Sequence, residues 1–398
     1  MVPKYDLVLY GATGFTGKLV ATYLNAVPDL AGRSWAIAGR TESKLEALKS
    51  SLTRQGVHAV HLELTDEQSV DALVSSTRAV INCAGPFSQY HAESLISACA
   101  RRGVHYSDLA GESFWQKEMA DKYHGVAQQS GARIVFGGGI DSIPSDLGAM
   151  LAFNALPHAE TSGEVKMRAV YTEYTGSFSG GTLASGRAMA KARKEGRVTD
   201  DMEANPYLIC PSGQTGADTV VGTADGMPTD FKWGFRRHQP FFMAPINARI
   251  VRRSLALRGL AERVSYAECS SNGLWLRMIW VLLSRGFGYL RGAPINFAPK
   301  PGEGPPAWLI DEGAFTLELT ATAASGAQAV CVVKGKGDPG YGATAKMLAE
   351  CGLCLSLDEL SGPGGVLTPW TGLGEPLVSR LRRAEEGRFM ALDVNLKE

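Results

Sequence analysis

The chain has 398 residues, of which 45% are hydrophobic and 20% are charged, a composition typical of a globular protein with more than one domain. Its 40 basic and 40 acidic residues cancel, so no overall positive field favours nucleic acid, which we exclude as a partner. Seven cysteines without a framework spacing predict reduced thiols and a cytoplasmic protein.

The first 150 residues alternate apolar strands with amphipathic helices. The predicted strands are Leu7–Tyr10, Trp35–Ala38, Ala59–Leu64, Ala79–Cys83, Val104–Asp108 and Arg133–Phe136. The helices predicted between them are Phe15–Ala26, Glu42–Thr53, Glu67–Ser75, Ala92–Arg101 and Phe114–Gln129. Strands that alternate with helices of this length form βαβ units, so we predict an α/β Rossmann domain over residues 1–150, with a parallel, doubly wound sheet.

The pattern changes after Gly163 to the strand-like alternation EVKMRAVYTEYT, which a predicted helix at Thr182–Lys194 follows. Alternation returns at Ala314–Ala321 and Ala327–Val333, which predicts a hairpin. We therefore predict a second, α+β domain for substrate binding and dimerisation over residues 151–336.

The remaining segment, residues 337–398, is predicted to pack back on the nucleotide domain. Cys351 and Cys354 form an isolated C-x-x-C inside a helical pattern of this segment. No second pair or histidine accompanies them, so we predict buried structural cysteines and no metal site.

The first predicted strand runs into GATGFTG, residues 11–17, which opens the first predicted helix. Gly11 allows a tight turn, Gly14 a close approach of the backbone to a pyrophosphate, and Gly17 close packing of the helix. The free N–H groups at the helix N-terminus favour such an anion. The predicted dinucleotide-binding residues of this turn are Gly11, Thr13, Gly14, Phe15, Thr16 and Gly17.

The end of the second predicted strand distinguishes the two nicotinamide cofactors. An NAD site needs a carboxylate there, whereas this chain has Gly39 and Arg40, with Lys44 close by. A guanidinium binds the 2′-phosphate of NADP and stacks on adenine, so we predict NADP(H) as the cofactor. Asp66, after the third strand, is placed either to bind the adenine amino group or to cap the next helix.

The fourth predicted strand ends in the motif NCAGPF. Ala84, Gly85, Pro86 and Phe87 therefore lie at the carboxyl edge of a central strand, where cofactor and substrate meet in doubly wound sheets. Small residues there let the ribose and nicotinamide lie against the backbone, so we add these four residues to the predicted cofactor site.

Five motifs of the first half, GATGFTGKL, WAIAGR, NCAGPF, YSDLAGE and GIDSIPSDLG, together resemble the saccharopine dehydrogenase-like oxidoreductases. In the second half, FFMAPINARIVRRSLAL, GEGPP, KGDPGYGATAKMLAE and GGVLTPWTGLGEPLVSRL resemble the trans-acting enoyl reductase branch of actinobacterial lipid and polyketide pathways. The resemblance implies a Rossmann domain, a saccharopine reductase-like second domain and NADP-dependent reduction. Many relatives have CGFDSIPSDLG where this chain has GGGIDSIPSDLG, which predicts a larger substrate pocket.

The segment GGGIDSIPSDLG follows the sixth predicted strand and reaches the same sheet edge as Pro86. Its glycine N–H groups and the Ser142 hydroxyl can stabilise an oxyanion, and Asp141 is a candidate for proton chemistry. In the alternative interpretation, Ser145 or Asp146 caps a helix that begins near Leu147.

Tyr341, in GDPGYGAT, is a second proton-donor candidate, and the alternative is a packing tyrosine at a domain junction. Tyr90 and His91 follow the GPF turn and can reach the nicotinamide ring, although His91 also suits a helix N-terminus at the surface. Tyr171 and Tyr174, on the first strand of the second domain, are candidates to line the pocket.

Residues 230–300 carry an excess of basic side chains, among them Arg249, Arg252 and Arg253. They predict either contact with phosphopantetheine, CoA phosphates, an acidic carrier protein or a membrane surface, or a solvated helix face. The apolar stretch 274–290 is too short between charges to span a bilayer. It predicts a buried helix, the interface of a homodimer, or an interfacial lid.

These observations together predict an NADPH-dependent reductase. We expect it to transfer hydride to a C=C bond beside a carbonyl in a hydrophobic or carrier-linked acyl substrate. One alternative is reduction of an imine C=N bond, in which Asp141 or Asp108 orients or protonates the nitrogen. The other is a nucleotide-binding or lipid-associated scaffold without catalysis.

Overall fold

The computed structural model describes residues 3–176, 180–219, 238–271 and 307–397, and two β-sheets organise them. Strands of the first sheet are β1 (Tyr5–Tyr10), β2 (Trp35–Gly39), β3 (Val57–His61), β4 (Thr77–Asn82), β5 (His105–Asp108) and β6 (Arg133–Val135). The helices that connect them are α1 (Phe15–Ala26), α2 (Glu42–Ser51), α3 (Glu67–Ser75), α4 (Ala92–Arg102) and α5 (Ser113–Ser130).

The first sheet is parallel throughout. A seventh strand, β12 (Gly365–Leu367), joins it beside β6, so the order is β12-β6-β5-β4-β1-β2-β3. Its central strands are apolar runs buried on both faces, as parallel strands covered by helices must be. The predicted α/β class with a doubly wound parallel sheet is confirmed.

The second sheet is mixed and has six strands. They are β7 (Val165–Thr175), β8 (His238–Gln239), β9 (Val264–Ser271), β10 (Ala314–Ala323), β11 (Gln328–Lys336) and β13 (Met390–Lys397). Their order is β13-β11-β10-β7-β9-β8, and every neighbouring pair is antiparallel except β7 with β9. β10 and β11 form the predicted hairpin.

Helix α6 (Ile143–Ala155) joins the two sheets. Eleven of its thirteen residues are buried, so it is an interior helix with no solvated face. A Cβ on Gly148 would lie 3.5–3.9 Å from the side chains of Val333, Leu319 and Leu317, which puts the glycine directly on the β10–β11 hairpin. One hydrophobic core therefore runs from the first sheet into the second.

Further helices are α7 (Gly180–Lys194), α8 (Asp200–Ala204), α9 (Ala244–Leu257), α10 (Ala307–Glu312), α11 (Thr344–Leu357), α12 (Pro369–Gly372) and α13 (Gly374–Gly387). Helix α11 packs on α1, β1, β4 and β5 of the nucleotide domain. A Cβ on its Gly352 would lie 2.3 Å from Ile81 Cδ1, so the helix approaches the sheet closely. Cys351 and Cys354 are buried in this helix. The last 60 residues thus contribute β12 to one sheet and β13 to the other.

Helix α13 is held to the nucleotide domain by the buried side chain of Arg380. Its guanidinium donates to both oxygens of Asp358 and reaches Glu350 Oε2 at 3.3 Å and Asp29 Oδ1 at 3.2 Å. Tyr23 on α1 donates to Glu350 Oε1 at 2.7 Å. Three carboxyl groups from different parts of the chain therefore share one cation.

In the part of the chain that the structure describes, the helices are too short or too polar to cross a membrane. The apolar stretch 274–290 lies outside the described residues.

Candidate active site

The glycine turn between β1 and α1 can be built only from glycine at two positions. Gly11 has a φ of +75°, and a Cβ there would lie 2.8 Å from the Ala84 nitrogen. A Cβ on Gly17 would lie 2.2 Å from the Gly11 carbonyl oxygen. Gly14 occupies the N-cap of α1, where no side chain caps the helix and the first turn has no acidic residue. This bare helix N-terminus, with Phe15 and Thr16 in its first turn, fits the pyrophosphate of a dinucleotide.

Beyond the turn, the end of β2 presents a cation. Arg40 follows Gly39 directly and is exposed, and its guanidinium lies 5.5 Å from the centre of the Tyr90 ring. Lys44 is exposed in the first turn of α2, and a Cβ on Gly39 would lie 4.0 Å from Thr13 Oγ1. The residues at this strand end fit the 2′-phosphate of NADP, which needs a cation and no carboxylate.

Asp66 caps helix α3. Its Oδ1 accepts hydrogen bonds from the N–H groups of Gln68 at 3.1 Å and Ser69 at 3.2 Å. The Ser69 hydroxyl donates to Asp66 Oδ2 at 2.5 Å. This bond first, and the backbone bonds after it, hold the pKa of Asp66 below its usual range. Of the two predicted roles, the structure shows the cap, and the adenine contact stays a prediction.

A buried hydrogen-bonded chain joins the ends of β4 and β5. Asn82 Nδ2 donates to the Tyr106 hydroxyl at 3.0 Å, which donates to Asp108 Oδ2 at 2.9 Å. The other ends of the chain hold the loops, because Asn82 Oδ1 accepts from Ala84 N–H and Asp108 Oδ1 from Ala110 N–H, both at 2.9 Å. Burial raises the pKa of Asp108 to about 7. Both oxygens of the Asp108 carboxyl thus already accept hydrogen bonds from the protein.

Glu112, at the N-cap of α5, is a functional candidate that the sequence reasoning missed. It is buried, and its two carboxylate oxygens accept hydrogen bonds from Phe87 N–H at 3.0 Å and Ser88 N–H at 3.1 Å. The only sequence signal was its place in the motif YSDLAGE, directly before a predicted helix. The predicted nicotinamide loop, Ala84 to Phe87, is thus fastened to the neighbouring element.

A cavity of about 400 Å³ opens at this edge of the sheet, between the two domains. Its floor comes from the nucleotide domain, and its opposite wall from β7, α7 and the start of α9. The apolar lining residues are Phe87, Leu109, Ile140, Met189, Phe242, Met243 and Ile246. The polar lining residues are Thr16, Cys83, Glu112, Asp141, Tyr174, Ser185, Tyr341 and Thr344, and the loop glycines Gly85, Gly111, Gly186 and Gly340 complete it. No Lys, Arg or His belongs to this lining in the described ranges.

Asp141 is the carboxyl group that this cavity leaves without a protein partner. It makes no hydrogen bond or ion pair with the described residues, and burial alone raises its pKa to about 6. A Cβ on Gly111 would lie 3.7 Å from Asp141 Oδ2, so only a glycine-sized residue separates the carboxyl from the loop after β5. An acid that titrates near neutrality in a cleft is poised for proton transfer.

Tyr341 and Tyr174 both line this cavity. The Tyr341 ring meets the Phe15 ring edge-on, with 5.2 Å between centroids, so it touches the start of α1. Burial is the main cause that raises the pKa of Tyr174 well above its usual value, and the Asp141 charge adds to it. Thr344 secures this side, since its hydroxyl accepts from Ile140 N–H at 3.0 Å and donates to the Pro339 carbonyl at 2.7 Å.

The residues that follow Asp141 do not reach the cavity. Helix α6 begins at Ile143 rather than near Leu147, and Ser142 occupies its N-cap position. The Ser142 hydroxyl donates to the Gly137 carbonyl at 2.8 Å and is fully buried. The capping roles predicted for Ser145 and Asp146 are wrong, because both lie inside the first turn and bind the second domain.

Ser145 and Asp146 hold α6 to different partners. Ser145 donates to Glu268 Oε2 at 2.7 Å. Asp146 accepts from the Ser254 hydroxyl at 2.5 Å and from Trp370 N–H at 2.7 Å. Burial raises the pKa of Asp146 to about 7. The motif SIPSDLG thus builds the domain junction, and Asp141 alone of this segment's polar side chains lines the cavity.

The basic helix α9 is neither solvated nor open to a phosphate. Arg252 is fully buried and pairs with Asp218 at 2.6 Å. Arg249 donates to the carbonyls of residues 202, 203 and 205, and Arg253 to those of Ile209 and Val366. Both predicted roles of these arginines, a contact with phosphate, a carrier protein or a membrane and a solvated helix face, are wrong. The three side chains are buried and donate hydrogen bonds to backbone carbonyls and to one carboxylate. The basic residues at 272–300 lie outside the described residues.

Most of the remaining tyrosine and histidine candidates lie away from the cavity. Tyr90 is 42% exposed and faces Arg40, and His91 is an exposed N-cap residue of α4 with a φ of +56°. Tyr171 is buried behind Tyr174, stacks on Phe241 and shares a hydrogen bond with Ser145. Of these four tyrosine and histidine candidates, only Tyr174 lines the cavity.

Comparison with known proteins identifies the nucleotide domain. Residues 7–135 match the saccharopine dehydrogenase NADP-binding domain, and the chain accordingly binds NADP(H). Saccharopine dehydrogenase (L-Glu forming) of Saccharomyces cerevisiae has the same fold, with a TM-score of 0.53 at 12% identity, over 98% of this chain and 99% of that one.

Sequence relatives extend over almost the whole chain. Rv2449c of Mycobacterium tuberculosis, provisionally named a trans-acting enoyl reductase, is 34% identical over 96% of both chains. The trans-acting enoyl reductase of Mycobacterium ulcerans is 30% identical over 95% of this chain and 96% of its own. This protein is an NADP-dependent oxidoreductase that belongs to the saccharopine dehydrogenase-like family, in the branch of the trans-acting enoyl reductases.

Proposed function

We propose that this enzyme reduces the C=C bond of an α,β-unsaturated acyl group that carries no free carboxylate. The observation that carries the proposal is the unpartnered carboxyl of Asp141 in an apolar cavity beside the glycine turn. Because the described lining contains no basic side chain, a substrate with its own carboxylate would find no countercharge there. A neutral thioester fits this charge pattern, and an amino diacid does not.

NADPH, when bound, supplies the hydride. Its pyrophosphate would rest on the N-terminus of α1 at Gly14, and its 2′-phosphate on Arg40. The loop from Ala84 to Phe87 would carry the ribose and the reacting end into the cavity. These roles rest on the absence of Cβ atoms at Gly11 and Gly17 and on the cation after β2.

The protein's own task is to stabilise negative charge on the substrate carbonyl and to deliver a proton. Reduction at the β-carbon leaves an enolate, which hydrogen-bond donors stabilise. Tyr174 remains a phenol at all physiological pH values because its pKa is raised. Asp141, with a pKa of about 6, can be protonated near neutrality and can then donate. An ionised Asp141 would repel the enolate, so the protonated form is the active one.

A carrier-linked substrate is the most economical source of the acyl group. Relatives of almost the same length are named trans-acting enoyl reductases, a name that describes reduction of an acyl chain presented by another protein. The cavity opens between the domains, and Phe242 on its rim is 46% exposed. An acyl chain held by a carrier can enter along such an apolar rim.

Imine reduction is the second candidate, and Asp141 itself favours it. A carboxylate without a cation partner can pair with a protonated C=N nitrogen, which is the substrate form that accepts hydride. In that case the ionised form of Asp141 is the active one. The two proposals therefore predict opposite slopes of rate against pH around the pKa of Asp141.

The test is NADPH oxidation by the purified protein with short and medium enoyl thioesters, the same acyl groups on a phosphopantetheine carrier, and cyclic imines. We expect turnover of the enoyl compounds, with kcat falling above about pH 6, and a large loss in Asp141→Asn. Turnover of imines alone, with a rate that rises with pH, would overturn the leading proposal. NADPH binding without any turnover would overturn both.

A further inference from the structure

Glu112 is a buried carboxyl group whose hydrogen bonds all go to one loop. Its side chain is almost inaccessible, and each oxygen accepts one backbone N–H, from Phe87 and from Ser88. It forms no ion pair in the described part of the chain. A buried charge is costly unless its hydrogen bonds satisfy it, so these two N–H groups, with the N-terminus of α5, are what keep Glu112 in place.

The same turn of α5 also holds the loop through an aromatic contact. The Trp115 ring lies 5.8 Å from the Phe87 ring and 5.4 Å from the Phe136 ring. Glu112 binds the backbone of Phe87 while Trp115 packs on its side chain. Helix α5 therefore holds Phe87 by a hydrogen bond to its backbone and by a ring contact with its side chain.

The far end of the loop is fixed independently, by the bond from Ala84 N–H to Asn82 Oδ1 at 2.9 Å. Gly85 and Pro86 lie between these two fixed points, Ala84 on one side and Phe87 and Ser88 on the other. Ala84 in turn abuts the glycine turn, where a Cβ on Gly11 would meet its nitrogen at 2.8 Å. Loss of the hydrogen bonds from Phe87 and Ser88 to Glu112 would therefore let the cavity wall at Gly85 move.

We propose that Glu112 is a positioning residue for reduction: it holds the Gly85–Pro86 backbone at the place where the reacting end of NADP(H) must lie. The proposal rests on the proposed function only in placing that end at this loop. A carboxylate is required because it offers two acceptors to two parallel N–H donors. A glutamine would offer one acceptor and turn an N–H group toward the other donor.

The experiment compares Glu112→Gln with Glu118→Gln, a matched change at a half-buried position of the same helix that removes a pair with Arg197. Hydrogen exchange of residues 83–91 is followed by mass spectrometry in the protein without cofactor. NADPH affinity is measured by fluorescence titration, and kcat and KM by NADPH oxidation.

In Glu112→Gln we expect at least tenfold faster exchange at Phe87 and Ser88, at least fivefold weaker NADPH binding, and a kcat at least tenfold lower with an almost unchanged KM for the acyl substrate. Glu118→Gln should match the wild type in all of these. If Glu112→Gln does not fold, Glu112→Asp carries the test, because it keeps the charge but withdraws the oxygens from the loop.

Exchange and NADPH affinity equal to the wild type in Glu112→Gln would overturn the proposal and leave Glu112 a space-filling residue. That failure is distinct from a failure of the proposed function. In the latter case the wild type shows no enoyl turnover, while exchange and NADPH affinity still respond to Glu112→Gln.

Discussion

Replacing Asp141 by asparagine should stabilise the fold while it removes activity. Burial alone raises the pKa of Asp141 from 3.8 to about 6, without a compensating partner among the described residues. The folded protein therefore binds this proton more tightly than the unfolded chain does. Wild-type stability should fall as the pH rises from about 4 to about 6 and should not change further above that.

The size of the effect follows from the pKa difference. The difference between 3.8 and about 6 corresponds to about 3 kcal/mol, at about 1.4 kcal/mol for each tenfold change in the dissociation constant. Since the side chain keeps some access to water through the cavity, we take this as an upper limit and expect about 1–3 kcal/mol. Asp141→Asn should therefore have a larger free energy of unfolding than the wild type at pH 8. This stability gain should be about 1–3 kcal/mol greater at pH 8 than at pH 4.

Urea denaturation at the two pH values measures this difference. Asp121→Asn, which removes an exposed carboxyl paired with Lys117, is the control and should show no such gain. The kcat of Asp141→Asn should fall about 10²- to 10⁴-fold, the usual worth of a general acid. A stability difference that does not depend on pH, or an unchanged kcat, would refute the role of Asp141 as a partly desolvated, destabilising acid.

Four further predictions concern the cofactor site, an open position in helix α5 and the Arg380 cluster. Arg40→Ala should weaken NADPH binding at least tenfold and leave NADH binding nearly unchanged in fluorescence titrations; an equal loss for both would contradict the 2′-phosphate role. Gly17→Ala, whose methyl would lie 2.2 Å from the Gly11 oxygen, should lose most NADPH affinity and lower the Tm. Gly125→Ala, with open space around the new methyl inside α5, should raise stability by about 0.5–1 kcal/mol. Arg380→Met should cost about 3–5 kcal/mol in urea denaturation, because it leaves Glu350 and its neighbours unpaired; a loss below about 1 kcal/mol would show that the cluster is dispensable.

The nucleotide domain could be predicted from the sequence because its signals are local. Buried parallel strands are continuous apolar runs, and the glycine turn joins a strand to a helix within a few residues. The choice of NADP(H) followed from Arg40, which is adjacent to its strand. Each inference needed only neighbours in sequence, so no knowledge of the second domain was necessary.

The arginines of α9 could not be interpreted in this way, because their partners are distant in sequence. Arg253 binds the carbonyl of Val366, 113 residues further along the chain. Arg252 pairs with Asp218, which lies 34 residues before it in the chain. A basic helix with an apolar face has the same sequence pattern whether water or backbone carbonyls surround its cations. Only the fold distinguishes the two cases.

The same limit explains why Asp141 was identified and Glu112 was not. Both carboxyls line one cavity, but their surroundings differ in what they offer. Glu112 receives two N–H donors from the loop after β4, which no periodicity in the sequence reveals. Asp141 receives none from the described residues and so keeps its bonding capacity for a ligand. We therefore expect the two carboxyls of this cavity to have different roles, Glu112 in shaping the cofactor loop and Asp141 in exchanging a proton, and the hydrogen bonds that the fold supplies distinguish them.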